Sequence, residues 1–149
     1  MSSIQPKPIE EVDRLLAKSG GLEELVAYSY KIFKCLDQIH YRLKSRQIMD
    51  GENTDIALSK ATGYRGFLNP ILEALDAHKK REQDAKYINL KDEKETEGVK
   101  FVSAVADKEA SYYVADIRTL RNKMRGYVDQ CDTDVGVLQS KLRYYTKQM

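Results

Sequence analysis

The 149-residue chain contains no tryptophan, three prolines, two cysteines and two histidines. Each scarcity removes a class of explanation. The prolines stand at positions 6, 8 and 70, so little interrupts a helix. Cys35 and Cys131 are far apart and form no CxxC, a spacing that supports neither a zinc knuckle nor a disulfide framework. Each falls at an apolar position of a helical pattern, where a free thiol packs as a small hydrophobe. No apolar run approaches the ~20 residues that span a bilayer. The opening Met1-Ser2-Ser3-Ile4-Gln5-Pro6 lacks the basic-then-apolar order of a secretory signal. A cytoplasmic location without membrane contact is expected.

Groups for catalysis are equally scarce. His40 lies beside an apolar seam and His78 in a basic run, and neither has an HExxH or other metal-ligand spacing. Gly63-Tyr64-Arg65-Gly66 lacks the Lys-Ser/Thr ending and the preceding strand of a phosphate-binding loop. The carboxylates are spread at helix-surface spacing. No catalytic residue, metal site or cofactor is expected, and the chain reads as a binding or assembly protein, not an enzyme.

What is present is amphipathic helix. Hydrophobic residues make up 42% of the chain and charged ones 32%, which fits narrow buried seams and wide wetted faces. A short helix over 9–18 follows Pro6-Lys7-Pro8, with Glu10 and Glu11 at the positive end of its dipole. Ser19-Gly20-Gly21 stops it. A second helix over 22–49 carries Leu25, Tyr28, Ile32, Leu36, Ile39 and Leu43 alternating three and four residues apart. Its end holds Arg42, Lys44 and Arg46. A broken segment over 54–68 then combines a short helix with a GYRGF loop. Asn69 and Pro70 open a third helix over 70–90.

Lys91 to Gly98 reads as a charged turn. A last helix over 99–146, opening at Val99 or Ser103, carries Tyr113, Ile117, Leu120, Met124, Tyr127, Cys131, Leu138, Leu142 and Tyr145, with one slip at Asp134. At 1.5 Å per residue it would reach ~60–70 Å. The fold class expected is all-α: a single helical domain over 1–149, an antiparallel bundle of long coiled-coil-like helices with the C-terminal helix extended. A seam that long suits a homo-oligomer, with Tyr113, Ile117, Leu120, Met124, Tyr127, Leu138 and Leu142 as its contacts.

The net charge of +2 says little, but its distribution is uneven: from Lys100 onward nine basic residues face six acidic ones. Arg118, Arg121, Lys123 and Arg125 form a run without an acid, and three of them share one helical stripe. Lys141, Arg143 and Lys147 interleave with Tyr144 and Tyr145. His78-Lys79-Lys80-Arg81 is followed by Lys86 and Tyr87. Cations that track phosphates beside aromatic platforms are what sequence-tolerant single-strand binding requires. The same cations on a coiled-coil surface also serve as solvation or as partners for acids on a neighbouring helix. Tyr113 and Tyr127 fit a core as well as a stacking platform. Tyr144 and Tyr145 cannot both face one seam, so one should be exposed. In the GYRGF segment, Tyr64 and Arg65 are candidates for base contact, against a connector role with Phe67 and Leu68 plugging the core.

From about Ala77 onward the layout resembles the phage recombination mediators of the UvsY type. The residues that carry it are His78-Lys79-Lys80-Arg81, Ala85-Lys86-Tyr87, a charged spacer, Ser103-Ala104-Val105-Ala106-Asp107-Lys108-Glu109, Tyr112-Tyr113 and a late Leu-Gln-Ser-Lys-Leu-Arg-Tyr. The resemblance covers roughly half of the chain. It implies a non-catalytic accessory factor of recombination or replication acting in the bacterial host cytoplasm. Its partners would be single-stranded DNA, further copies of itself, a recombinase and a single-strand-binding protein. Lys79, Lys80, Arg81 and Lys86 fall in the stretch that carries DNA contacts in that family. Arg118, Arg121, Lys123, Arg125, Arg143 and Tyr144 join them from the residue pattern. The alternative is a helical scaffold, chaperone, adaptor or inhibitor that binds another protein through its seams.

Overall fold

The computed structural model describes residues 3–45 and 50–148, and among them every regular element is a helix. The order is α1 (Ile9–Ala17), α2 (Gly21–Lys44), α3 (Gly51–Glu97), α4 (Ser103–Tyr113) and α5 (Ala115–Gln148). The all-α bundle of long, mutually packed helices is as the periodicity indicates. The expected end of the second helix, with Arg46 and Met49, lies outside the described residues, as do Met1 and Ser2 of the opening segment.

The largest departure is α3. Where a broken segment over 54–68, a helix over 70–90 and a charged turn over 91–98 are expected, one 47-residue helix runs without interruption. At 1.5 Å per residue it is ~70 Å long. Asp50 caps it, accepting from the backbone N–H of Asn53 at 2.7 Å. The stripe Ala57, Ala61, Tyr64, Leu68, Ile71 and Leu75 keeps the four-then-three spacing across the GYRGF segment, and all but half-buried Tyr64 are buried. Gly63 and Gly66 stand on the exposed side, each disfavouring helix by roughly 1 kcal/mol. Pro70 removes one backbone donor and disfavours the helix further. The buried stripe outweighs all three.

The charged stretch after Leu90 is helical up to Glu97. Gly98, at φ 68, ends it. The Val99 N–H then reaches the Lys94 carbonyl at 3.0 Å and the Gly98 N–H that of Glu95 at 3.3 Å. This is the left-handed glycine cap that satisfies a helix's last carbonyls.

The helix expected over 99–146 is two helices. It opens at Ser103 and breaks at Val114, whose φ of −105° and ψ of 16° leave the helical region. The carbonyl of Ser111 is not orphaned there, because Arg118 Nη2 donates to it at 2.8 Å and to Ser111 Oγ at 2.7 Å. An arginine four residues beyond the break thus stands in for the missing backbone donor.

Cross-helix contacts set the topology. Gly51 lies beside Tyr145, Cys131 Sγ donates to the Ala61 carbonyl at 3.3 Å, and Asp76 meets Arg121 and Arg125. α5 therefore runs antiparallel to α3. Tyr30 meets Lys123, Phe33 meets Tyr127 and His40 meets Asp134, so α2 runs parallel to α5. The core of this three-helix body comes from Leu25, Ile32, Phe33 and Leu36 of α2, the α3 stripe, and Leu120, Met124, Val128, Cys131 and Leu138 of α5. Val12 and Leu15 of α1 close one end. Phe33 and Tyr127 stack at 4.2 Å and 5°.

The slip in the α5 seam has a local answer. Asp134 is buried, and His40 Nδ1 lies 3.0 Å from both of its oxygens, as a carboxylate taken from water requires. Burial pushes the Cys131 thiol up to about 11, so it stays protonated and inert at neutral pH. Cys35 is free and half-buried.

Beyond Asp76 the body ends and an arm begins. Among the described residues α4 packs on α3 and α5 and on neither α1 nor α2. The distal half of α3, over 77–97, thus forms a two-helix arm with α4, ~30 Å long at 1.5 Å per residue. Its interior is thin. Leu90, Ala106, Ala110 and Val114 are the buried apolar residues of the arm and its root. Ile88, Val99, Val102, Val105, Tyr112 and Tyr113 are exposed.

Candidate nucleic-acid interface

Four sequence candidates are committed to partners within the chain. Arg121 Nε pairs with Asp76 Oδ1, and Arg125 Nη2 reaches the other oxygen of the same carboxylate at 3.0 Å. Arg118 holds the break before α5. Lys123 Nζ donates to Tyr30 Oη at 2.8 Å and lies 4.4 Å from the ring centroid. The basic run on α5 therefore clamps that helix to α3, to α2 and to the end of α4. For Arg121 and Arg125 this is the ion-pair role that charged coiled-coil flanks carry, worth about 0.2–1 kcal/mol for a solvent-exposed pair.

Tyr64 and Arg65 are on α3, not in a loop. Tyr64 is half-buried with its ring 6.0 Å from Phe67 in an edge-on arrangement, and burial raises its phenol pKa, with Cys35 beside it adding to the shift. Arg65 pairs with Asp132 across to α5. Leu68 is buried and Phe67 packs against the core, so the segment plugs the body as a helix does.

The seam assigned to self-association closes largely inside the chain. Leu120, Met124 and Leu138 are buried in the body, and Ile117 and Tyr127 pack against it. Tyr127 donates to Asp37 Oδ2 at 2.9 Å; burial, then this carboxylate, pushes its phenol up to about 12. Leu142 is half-buried near the end of α5. Tyr113 is not on α5 at all. It is the last residue of α4 and is 59% exposed, because the break at Val114 takes it out of register with Ile117.

Two clusters remain open to solvent. At the end of α5, Arg143 is exposed and Tyr144 is 61% exposed, with its ring 5.8 Å from that of half-buried Tyr145. One tyrosine of the pair faces water, as their adjacency requires. The second cluster is at the root of the arm. Lys80 and Arg81 are exposed, and Lys79 and Lys86 half-buried. No ion pair among the described residues involves any of the four. Lys86 Nζ sits 5.3 Å from the centroid of the Tyr113 ring, and the neighbouring Tyr112 is 71% exposed. Sequence spacing missed this association. Lys86 and Tyr113 are 27 positions apart, and only the α3–α4 turn brings them together.

Among the described residues no group of three or more His, Cys, Asp or Glu side chains converges to hold a metal ion, and no helix is long and apolar enough to cross a membrane. Comparison with protein-family models, with curated proteins and with solved structures gives no match.

Proposed function

We propose that this chain is a non-catalytic single-stranded-DNA-binding accessory protein of recombination or replication, and that the strand lies along the root of the arm. The observation that carries this reading is Lys86 beside the exposed rings of Tyr112 and Tyr113, with Lys79 two turns back on the same face of α3 and Lys80 and Arg81 next to it in the chain, none of the four in an ion pair among the described residues. Cations of this kind neutralise phosphates, and an exposed ring beside them offers a face to an unpaired base. The α5 run contributes positioning: Arg121 and Arg125 hold α3 and α5 together below the site. Placement in recombination or replication rests on the resemblance of residues 77–145 to the phage mediators.

The test is the anisotropy of a labelled oligo-dT strand at several salt concentrations. Each phosphate neutralised on a single strand contributes about −0.7 to the slope of log K against log salt. The expected parent slope is about −2 or steeper. Lys79→Ala/Lys80→Ala/Lys86→Ala should remove about 2 from its magnitude. Tyr112→Ala/Tyr113→Ala should weaken binding by about 1–3 kcal/mol per lost stack while leaving the slope alone. Arg121→Ala/Arg125→Ala should leave the slope unchanged. Absence of binding at low salt, or a slope indifferent to the triple lysine change, overturns the reading.

An assembly or adaptor role has its own supporting observation. The arm exposes Ile88 of α3, Val105 of α4 and Val102 just before α4, where the two helices bury little against each other, a surface suited to another protein's helix. A chain that fails to bind oligo-dT at any salt concentration points there.

A further inference from the structure

On its outward side the arm carries a stripe that complements itself. Arg81, Ala85, Ile88, Asp92 and Glu95 follow one another at intervals of four, three, four and three along α3, and every one of them is exposed. That spacing places them in a single line on a helix. Leu90, the α3 side chain buried in the arm, lies two residues from Ile88, some 200° around the helix at 3.6 residues per turn. α4 covers the Leu90 side. Lys79 and Lys86 are also on the far side, close to half a turn from Ile88 by the same geometry, and Lys86 meets Tyr113 of α4 there.

The order of chemistry along the stripe is basic, apolar, acidic. Read backwards, its two ends are complements of each other, Arg81 matching Glu95. A two-fold axis through Ile88 sets Ile88 against Ile88 of a second copy. Arg81 then faces Glu95 of that copy, and Glu95 faces its Arg81. Ala85 comes level with Lys91 of the second copy, and Asp84, beside the stripe, comes level with Asp92 with that Lys91 next to it. A parallel pairing would instead set arginine on arginine and glutamate on glutamate. Neither Arg81 nor Glu95 has an ion-pair partner among the described residues of its own chain.

We propose that two copies of this chain associate antiparallel through the outward face of α3, with Ile88 on the two-fold axis and reciprocal Arg81–Glu95 pairs on either side of it. Self-complementarity identifies the occupant as a second copy: an isologous interface requires a patch that matches its own two-fold image, and a different partner imposes no such symmetry. The interface moves self-association from the α5 seam, which closes largely inside the chain, to the arm, where one face of α3 is exposed among the described residues. It does not rest on the nucleic-acid reading: Lys79 and Lys86 lie on the opposite flank, and Arg81 is the one cation that both readings use.

Sedimentation velocity on the full chain, over a range of protein concentrations and at low and high salt, tests this. The parent should pass from monomer to dimer as concentration rises, and the dimer should weaken with salt because its flanking contacts are charged. Arg81→Glu alone sets two glutamates against each other at both ends and should remain monomeric. Glu95→Arg alone does the same with arginines. Mixed in equal amounts, these two variants should form a heterodimer, and the Arg81→Glu/Glu95→Arg double variant should recover a homodimer. Ile88→Asp should be monomeric with unchanged helicity by circular dichroism. A parent that stays monomeric throughout, single reversals that associate as the parent does, or a mixture that fails to associate would each overturn the proposal.

Discussion

Alanine at Gly63, Gly66, Gly126 and Gly136 together is expected to raise the free energy of unfolding by about 3–4 kcal/mol, since glycine inside a helix is less favourable than alanine by roughly 0.8–1 kcal/mol. All four lie within helices, and all four are exposed. A Cβ built on any of them meets nothing within 4 Å. The substitution therefore removes backbone freedom from the unfolded chain without crowding the folded one. Effects at the α3 pair and the α5 pair should add, because no contact is shared between them. The measurement is the urea midpoint at unchanged m-value. The α3 pair has a second use. Were Gly63 and Gly66 in a loop with left-handed backbone, alanine there would lower the midpoint, and a drop would refute the continuous α3.

Gly21→Ala should act in the opposite direction, with a loss of about 3 kcal/mol, the upper part of the range for forcing extra atoms into a packed site. A Cβ on Gly21 would fall 1.8 Å from the carbonyl oxygen of Leu15 and 2.6 Å from its carbonyl carbon. These are backbone atoms, so no rotamer change relieves the clash. α1 must swing away from α2, and with it the buried Val12 and Leu15. Burial of each such side chain stabilises by roughly 1.5–3 kcal/mol, which sets the ceiling on the loss if α1 undocks. Gly20→Ala is the control: its φ of 77° carries the ordinary left-handed penalty, about 1–2 kcal/mol, with only the Glu23 carboxylate at 4.0 Å. Equal midpoints for Gly21→Ala and the parent would mean that the α1–α2 turn is not as described.

These glycines show where sequence reasoning succeeded and where it stopped. Leu25, Ile32 and Leu36 on α2, and Leu120, Met124 and Leu138 on α5, were legible because large apolar residues recur at regular spacing on otherwise polar helices. The matching stripe on α3 contains two alanines and a tyrosine, a weaker signal. Gly63, Gly66 and Pro70 spoke against it locally, and tertiary burial of Leu68, Ile71 and Leu75 overrode them. Lys91 to Glu97 has no apolar period at all, so its helix shows only in the terminating Gly98. The break at Val114 was invisible, since the spacing from Tyr113 to Ile117 continues the seam without a fault. Among the site candidates, basic character could be read and partners could not. Asp76 is 45 residues from Arg121, and the fold alone makes it the counter-charge. The open cluster at Lys86 and Tyr113 was hidden for the same reason.

The uninterrupted passage of α3 from body into arm has a dynamic consequence. Up to Asp76 the helix is one of three around a dense interior, whereas past it the apolar support narrows to Leu90 and the small side chains of α4. Amide protons of the arm should therefore exchange with solvent through local openings that leave the body closed, while those around Ile71 and Leu75 should exchange only when the whole domain unfolds. No loop separates the two regimes. Protection should fall away gradually along a single helix, with the fraying front halting near Asp76, where Arg121 and Arg125 grip one carboxylate. Any ligand or second copy that settles on the arm would reveal itself first by slowing exchange there, before any change of shape could be detected.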